Sequence, residues 1–415
     1  MDRIIVLADD FTGATDVASA FADTGRKVRT WTSAEAINVE SSDYKADVDV
    51  EVVALKSRSC LPDAAIELMS NSLKRLGYKR GFDQIYFKYC STFDSTPRGN
   101  IGPCLDFLVD VTGDDLPVVV PAFPDNYRTQ YCGYLFVSGK LLSETHMADH
   151  PITPMRDSSI IRLLGNQSHR SCELLRLEDL RRGALLKRFE QKPNAGASLV
   201  IDAITNSDIK IIAESVSQRA LVSGGSALAQ WYPKIGESTR VVAEALTDDD
   251  RLILVGSRSE MTRKQLSYYD SHQGQRMIEI DPGNSIEAEI SRLGKEIQIA
   301  RSQGRGTAPI VGRPVVFRGD QGESETSRKI ETVLSKLAVQ FQKSGGKQLI
   351  VAGGETSGAI LQSLGVIFLE IGQNIAPGVS WSKAHLQSGE EMTIALKSGN
   401  FGDEKFFVES WSVLK

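Results

Sequence analysis

Residues 4–25 read IIVLADDFTGATDVASAFADTG, and the change of character inside this stretch decides the fold class. Ile4 to Leu7 is a short apolar run that predicts a buried strand. Asp9 and Asp10 break it, and a helix is predicted from about Ala14 to near Gly25, a glycine suited to a C-terminal cap. A strand that enters a helix through a short polar turn opens a βαβ unit.

The same alternation recurs along the chain. Val50 to Leu55 reads as a strand, and Pro62-Asp63 opens a helix whose apolar stripe is Ile66, Met69, Leu73 and Leu76, with Gly77 as its stop. Ile85 to Phe87, Val118 to Val120, Ser198 to Ile201 and Leu221 to Val222 read as further strands. The stretch from Trp231 to Arg251 holds Pro233, Gly236 and the acidic run Asp248-Asp249-Asp250, which marks a boundary. A second cycle follows: Leu252 to Val255, Met277 to Ile280, Val315 to Phe317, Leu349 to Val351 and Met392 to Leu396 as strands, with a long helix from about Ser324 to Lys343. The expected architecture is α/β with two domains, 1–235 and 245–415. Each has a mostly parallel sheet flanked by helices, with the active site in the interdomain cleft.

Composition narrows the function classes. A chain of 415 residues is too long for one core, and 41% hydrophobic with 24% charged residues excludes a disordered chain. The 48 Lys+Arg against 53 Asp+Glu give a net charge of -5, which exerts no pull on nucleic acid or an anionic membrane. No apolar run approaches a membrane span, and the N-terminal run is too short for a signal peptide. Cys60, Cys90, Cys104, Cys132 and Cys172 contain no C-x-x-C pair, which argues against a disulfide framework or zinc site and for a reducing cytoplasm.

Four polar clusters follow predicted strands, where open α/β sheets bind their ligands. In LADDFTGATD (7–16) one of Asp9 and Asp10 is expected to orient or deprotonate a substrate hydroxyl and the other to anchor the loop; the plainer alternative is that one of them only caps the following helix. The order in which they leave the strand favours Asp9 for substrate contact. In LKSRSC (55–60) Arg58 offers a planar fork for a carboxylate or phosphate, or else a surface ion pair. KYCSTFDSTPRGNIGP (88–103) is dense in small hydrogen-bonding groups, among them Ser91, Thr92, Asp94, Ser95, Thr96 and Asn100, which suits a polyhydroxylated substrate. In VAGGETSGAI (351–360) a strand runs through Gly353, Gly354, Glu355, Thr356 and Ser357 into a helix, a pattern that places backbone N–H groups for a phosphate chain. VGSRSEMT (255–262), with Ser257, and LKSGNFGD (396–403), with Gly399, are its companions. The chain has no Walker motif, no G-x-G-x-x-G, no H-E-x-x-H and no G-x-S-x-G. His146 and His150 are spaced i, i+4 but lack a third ligand, so no metal site is predicted from them.

Taken in order, these clusters resemble the four-carbon acid sugar kinase family over essentially the whole chain. LADDFTGATD, LKSRSC, YFKYCSTFDSTPRGNIGP, HPITPM (150–155), LVSGGSALA (221–229), VAGGETSGAI, IGQNIAPGVSW (371–381) and ALKSGNFG (395–402) carry the resemblance. KYCSTFDSTPRGNIGP, GYLFVSG (133–139) with HPITPM after it, and the ALKSGNFG ending tilt it toward the 3-oxo-tetronate 4-kinases, with the threonate and erythronate kinases next. Two positions depart from the family pattern: Tyr127 stands where a glycine is expected, and Arg258 where a small Cys is usual.

The resemblance implies ATP-dependent phosphorylation of the terminal hydroxyl of a four-carbon sugar acid, with Mg²⁺ bridging the phosphates. It implies that Asp9, Arg58, Ser91, Thr92 and Asp94 bind the acid, with Asp9 or Asp10 catalytic. Ser257, Gly353, Gly354, Glu355, Thr356, Ser357 and Gly399 would hold ATP. The expected partners are the sugar acid and ATP, with neither nucleic acid nor membrane; a homodimer is compatible with it, the sequence leaving the oligomeric state open. A non-catalytic two-domain binding protein and a dehydrogenase-like protein are the competing classes, and the missing G-x-G-x-x-G weighs against the latter.

Overall fold

Buried β-branched strands organise both halves of the chain in the computed structural model. It describes every residue except 1–2, 38–47, 82, 150–152, 192–195, 243, 274–276, 305, 307–308, 313–319 and 415. The chain divides into two compact units, Met1–Thr239 and Arg240–Lys415. Among the described residues no helix is long and apolar enough to cross a membrane.

In the first unit the strands are β1 (Arg3–Ala8), β2 (Val28–Trp31), β3 (Val50–Ala54), β4 (Asp83–Lys88), β5 (Val118–Val120), β6 (Arg128–Tyr131), β7 (Tyr134–Val137), β8 (Lys140–Leu141), β9 (Ser171–Leu175), β10 (Ala197–Ile201) and β11 (Leu221–Gly224). The main sheet has the order β2-β3-β1-β4-β11-β5-β10-β9, and each of these pairs is parallel. Its central strands are buried on both faces, as in other parallel sheets covered by helices on both sides. The short strands β6, β7 and β8 form a separate antiparallel sheet.

The first helix spans Phe11–Ala22, three residues earlier than the apolar pattern predicts. The reason is Asp10, whose carboxylate accepts the Gly13 N–H and caps the helix. Helix Pro62–Arg75 begins on its proline, with Asp63 in the first turn and Lys74 and Arg75 in the last, an arrangement that complements the helix dipole.

Chain order creates a crevice in this sheet. From β1 the chain crosses to β2 and β3 on one side; from β4 it crosses to β5 on the other. The carboxyl ends of β1 and β4 therefore flank a topological switch point, where open α/β sheets bind ligands.

In the second unit the strands are β12 (Arg251–Val255), β13 (Ile278–Ile280), β14 (Ile310–Gly312), β15 (Gln348–Ala352), β16 (Val366–Ala376), β17 (Val379–Leu386) and β18 (Glu391–Lys397). Within the unit they run β13-β14-β12-β15-β18-β17-β16. The first five are parallel, and β18, β17 and β16 are joined antiparallel. The predicted strand Val315 to Phe317 lies outside the described residues, and β14 occupies Ile310–Gly312 instead. The predicted long helix is present as Asp320–Lys343. One face of the sheet packs on Leu266, Tyr269, Phe406 and Phe407, and Trp381 donates its indole N–H to Ser410 O at 2.9 Å. The crossover from β12 goes to β13 and that from β15 to β16, on the other side, so the switch point of this sheet lies between β12 and β15.

Candidate functional site

Two strand-end clusters, one in each unit, stand at these switch points. In the first unit the parallel register aligns Ala8 with Ala54 and with Lys88. The residues that leave β1, β3 and β4 are thereby delivered side by side. Arg58, on the loop after β3, becomes the hub. Its Nε donates to Asp9 Oδ2 at 2.7 Å and its Nη2 to Asp9 Oδ1 at 3.0 Å. Nη2 also lies 3.0 Å from Asp10 Oδ1, and Nη1 lies 3.7 Å from Asp94 Oδ2. The loop is fixed from behind: the Ser57 and Arg58 N–H groups donate to Asp9 O at 2.9 and 3.2 Å, and Asn100 Nδ2 donates to Ser57 O at 2.6 Å.

The two adjacent carboxylates differ in environment. Asp9 is 7% exposed in its side chain, and burial pushes its carboxyl above the usual range despite the guanidinium beside it. Asp10 is 25% exposed. Burial opposes its charge too, but Arg58 and Lys88, with hydrogen bonds from Thr12 and Gly13, hold it below its ordinary value. Asp10 is thus the more readily ionised and the more exposed member of the pair. Thr92 Oγ1 donates to Asp94 Oδ1 at 2.5 Å, and Ser91 lies half-buried in the same turn. Phe93 between them has φ +51° while fully buried, and Lys56, two residues before Arg58, has φ +54°. Left-handed backbone at non-glycine residues costs energy, and such strain collects at functional sites.

Lys88, at the end of β4, is a member of this cluster that sequence reasoning missed. It is 4% exposed, and a Cβ on Gly13 would stand 2.9 Å from its ammonium. An ammonium has three donors; among the described residues Lys88 places one, on Tyr89 O at 2.9 Å. Its charge also bears on the buried Asp16, whose carboxyl burial pushes up. The signal was present in the quoted motif KYCSTFDSTPRGNIGP, but a lysine ending a strand reads as solvated unless its neighbours are known.

In the second unit the loops after β12, β15 and β18 meet. Gly353 has φ +125°, ψ +129°, and its N–H donates to Lys397 O at 2.9 Å. A side chain there would stand 3.1 Å from Ser257 N, so glycine is required both by conformation and by space. Helix Gly354–Ser363 starts without a side-chain cap. Gly354 and Glu355 at its start are exposed, so its first N–H groups are open to an anion. Ser357 Oγ instead turns inward to Gly353 O at 2.7 Å. Thr262 Oγ1 lies 3.0 Å from both Ser257 Oγ and Gly399 O, with one proton to donate between them. A Cβ on Gly399 would lie 2.6 Å from Ser257 Oγ. The loops are closely packed small residues around a helix start, a cradle shaped for phosphates.

Two cavities of this unit lie away from the cradle. One of about 390 Å³ lies among Arg251, Tyr269, Phe407 and Trp411; one of about 880 Å³ lies among Lys347, Glu370, Lys383 and Glu391. We place the site at the cradle because the donors and the switch point are there. Among the described residues no group of three or more His, Cys, Asp or Glu is arranged to hold a metal, and the five cysteines are free.

Comparison with known proteins bears on both clusters. Residues 4–232 match the model of a sugar-binding N-terminal domain, and residues 252–407 that of a nucleotide-binding C-terminal domain. A 3-oxo-tetronate kinase of Salmonella typhimurium is 37% identical over 426 residues, covering 99% of each chain. One of Haemophilus influenzae is 38% identical, covering 97% of each. The chain belongs to the four-carbon acid sugar kinase family.

Solved structures agree. A Salmonella typhimurium protein described as a tRNA synthase has a TM-score of 0.86 at 35% identity, covering all of both chains. A Haemophilus influenzae protein has 0.77 at 36% identity, covering 99% of this chain and 100% of its own. For this kinase-family chain the two departures from the family pattern have physical readings. Tyr127 is 71% exposed and adopts φ +58°, ψ +30° after the turn Pro124–Asn126, a left-handed position that explains the glycine expected there. Arg258 is exposed. His146 lies in the turn His146–Asp149, while His150 and the start of HPITPM fall outside the described residues.

Proposed function

We propose that this chain is an ATP-dependent kinase that phosphorylates the 4-hydroxyl of a 3-oxo-tetronate. The observation that carries the reading is the end-to-end likeness to 3-oxo-tetronate kinases, which spans both strand-end clusters. Residues 1–235 hold the sugar acid and 245–415 the nucleotide.

Phosphoryl transfer asks a protein mainly to position reactants and neutralise charge. Arg58, Ser91, Thr92 and Asp94 bind the acid's carboxylate and oxygens. Asp10 acts on the attacking hydroxyl: its side chain is the more exposed of the two, and its carboxyl is held below its ordinary range while burial pushes that of Asp9 above. Asp9 holds the guanidinium in place. This reverses the preference for Asp9 that strand order suggests. Lys88 supplies positive charge next to Asp10. In the second unit Ser257, Gly353 to Thr356 and Gly399 hold the ATP phosphates; Ser357, expected among them, spends both its N–H and its Oγ on Gly353 O and braces the turn instead. Among the described residues no carboxylate cluster is arranged to hold a metal, so Mg²⁺ would be held mostly by nucleotide oxygens and water, where it would offset charge on the phosphates.

ADP release measured with 3-oxo-tetronate, D-threonate and D-erythronate tests the substrate. The reading predicts the highest kcat/KM for 3-oxo-tetronate. Higher kcat/KM for threonate or erythronate moves the chain to that kinase class, and no ADP release with any acid removes the kinase reading in favour of a binding protein.

A further inference from the structure

Lys397 is the residue of the second unit that the nucleotide reading leaves unexplained. It ends β18, is 0% exposed, and belongs to the largest fully buried side chains of the protein. Its ammonium donates to Gly399 O at 2.8 Å, Ser398 O at 3.0 Å and Thr262 Oγ1 at 3.2 Å. All three donors are spent on neutral acceptors. Its own carbonyl accepts the Gly353 N–H. The side chain is therefore tied to the loop after β18 and to the helix after β12, and the Lys397 backbone to the loop after β15.

A buried lysine is normally paired with a carboxylate, because an unpaired buried charge is costly. Among the described residues the packed elements supply none. Helix Glu260–Gln273 faces it with the Thr262 hydroxyl, and helix Phe406–Glu409 with the Phe406 ring, 5.8 Å away. The charged residues of these elements and of the adjoining loops, Arg258, Glu260, Arg263, Lys264, Asp270, Glu355, Asp403, Glu404, Lys405 and Glu409, are exposed. Burial alone pulls the Lys397 ammonium down to about 7.

We propose that Lys397 is a positioning residue whose counter-charge is the bound nucleotide itself, so that nucleotide binding draws a proton onto Lys397. This rests on the reading of the Gly353–Gly399 cradle as the phosphate site. The ammonium does not touch the phosphates, since its donors hold the loops; it acts through its field and through the Gly399 carbonyl it fixes. The sign follows from linkage. In the free protein Lys397 loses its proton as pH rises through about 7. Phosphates nearby favour the charged form and raise that midpoint. Above pH 7 the complex then binds more protons than the free protein, and affinity falls with rising pH by up to about tenfold per unit.

Calorimetric titration with Mg·ADP at pH 8.5, repeated in buffers of different ionisation enthalpy, reads proton uptake directly. Wild type is expected to take up about one proton per nucleotide. Lys397→Arg, which cannot lose its charge, is expected to bind with no uptake and with affinity flat from pH 7 to 9. Lys397→Met should also show no uptake, with affinity at pH 7 at least about tenfold weaker. Binding by wild type without proton uptake overturns the proposal whether or not either variant folds, and so does uptake in Lys397→Arg equal to wild type. Absence of any ADP binding by wild type is a different result, one that overturns the nucleotide reading itself.

Discussion

Arg58 grips Asp9 with two parallel bonds, Nε to Oδ2 at 2.7 Å and Nη2 to Oδ1 at 3.0 Å. Planar two-point pairing is what the guanidinium does best. It leaves Nη1 as the side of the fork turned toward Asp94 and away from Asp9. One cation thus serves three carboxylates, and its removal exposes all of them to mutual repulsion.

Arg58→Ala is accordingly predicted to do more than weaken acid binding. Stranding buried carboxylates costs about 3–5 kcal/mol of stability, readable as a fall in the denaturation midpoint. Arg58 holds down the carboxyls of both Asp9 and Asp10. Without it Asp10 ionises at higher pH, and the acidic limb of the kcat/KM profile moves to higher pH. KM for the acid rises roughly 10- to 150-fold with KM for ATP nearly unchanged. An unchanged KM for the acid in a folded variant removes Arg58 from the substrate site.

Asp10→Asn separates the charge from the helix cap. The amide oxygen still accepts the Gly13 N–H, so folding should survive. Loss of a positioned base costs about 10²–10⁴ in rate, and kcat is expected to fall at least about 100-fold with nucleotide affinity retained. Asp9→Asn should cost less in kcat and more in KM for the acid, because it loosens Arg58. Near-normal kcat in Asp10→Asn places the base elsewhere, Asp94 being next.

Gly353 carries the positive φ of the phosphate turn; its neighbour Gly354 does not. Gly353→Val forces a β-branched residue into that conformation, with its Cβ 3.1 Å from Ser257 N. Strain of about 1–3 kcal/mol predicts nucleotide affinity weakened roughly 5- to 150-fold, measured by calorimetry. Wild-type affinity would make the glycine pair a packing device.

The central strands were legible in the sequence because they are buried on both faces and read as unbroken apolar runs, as in Ile4 to Leu7 and Leu349 to Val351. The strands β16 and β17 were not. β16 is interrupted by Gly372 and Asn374, its pairing with β17 carries register irregularities, and both strands mix buried with half-buried residues. Asp9, Asp10 and Arg58 were readable as strand-end residues, but their pairing was not. It depends on the alignment of Ala8 with Ala54, a tertiary fact. Lys88 and Lys397 were invisible for the same reason. Nothing local distinguishes a lysine at a strand end that will be buried from one that will be solvated.

Tyr127 offers a test of the strain argument away from the chemistry. A left-handed tyrosine costs about 1–2 kcal/mol, and glycine returns part of that through unfolded-chain entropy. Tyr127→Gly is predicted to stabilise the first unit by about 0.5–1 kcal/mol, a rise in Tm of roughly 1–4 °C. A fall in Tm would show that the exposed ring makes a contribution larger than the backbone strain.

The most direct test of the central claim is to follow the phosphorus itself. With ATP, Mg²⁺ and 3-oxo-tetronate, phosphorus NMR should show a new phosphomonoester split by the two C4 methylene protons, growing in step with ADP. Release of ADP with only inorganic phosphate, or a phosphorus signal lacking that splitting, would contradict transfer to the 4-hydroxyl.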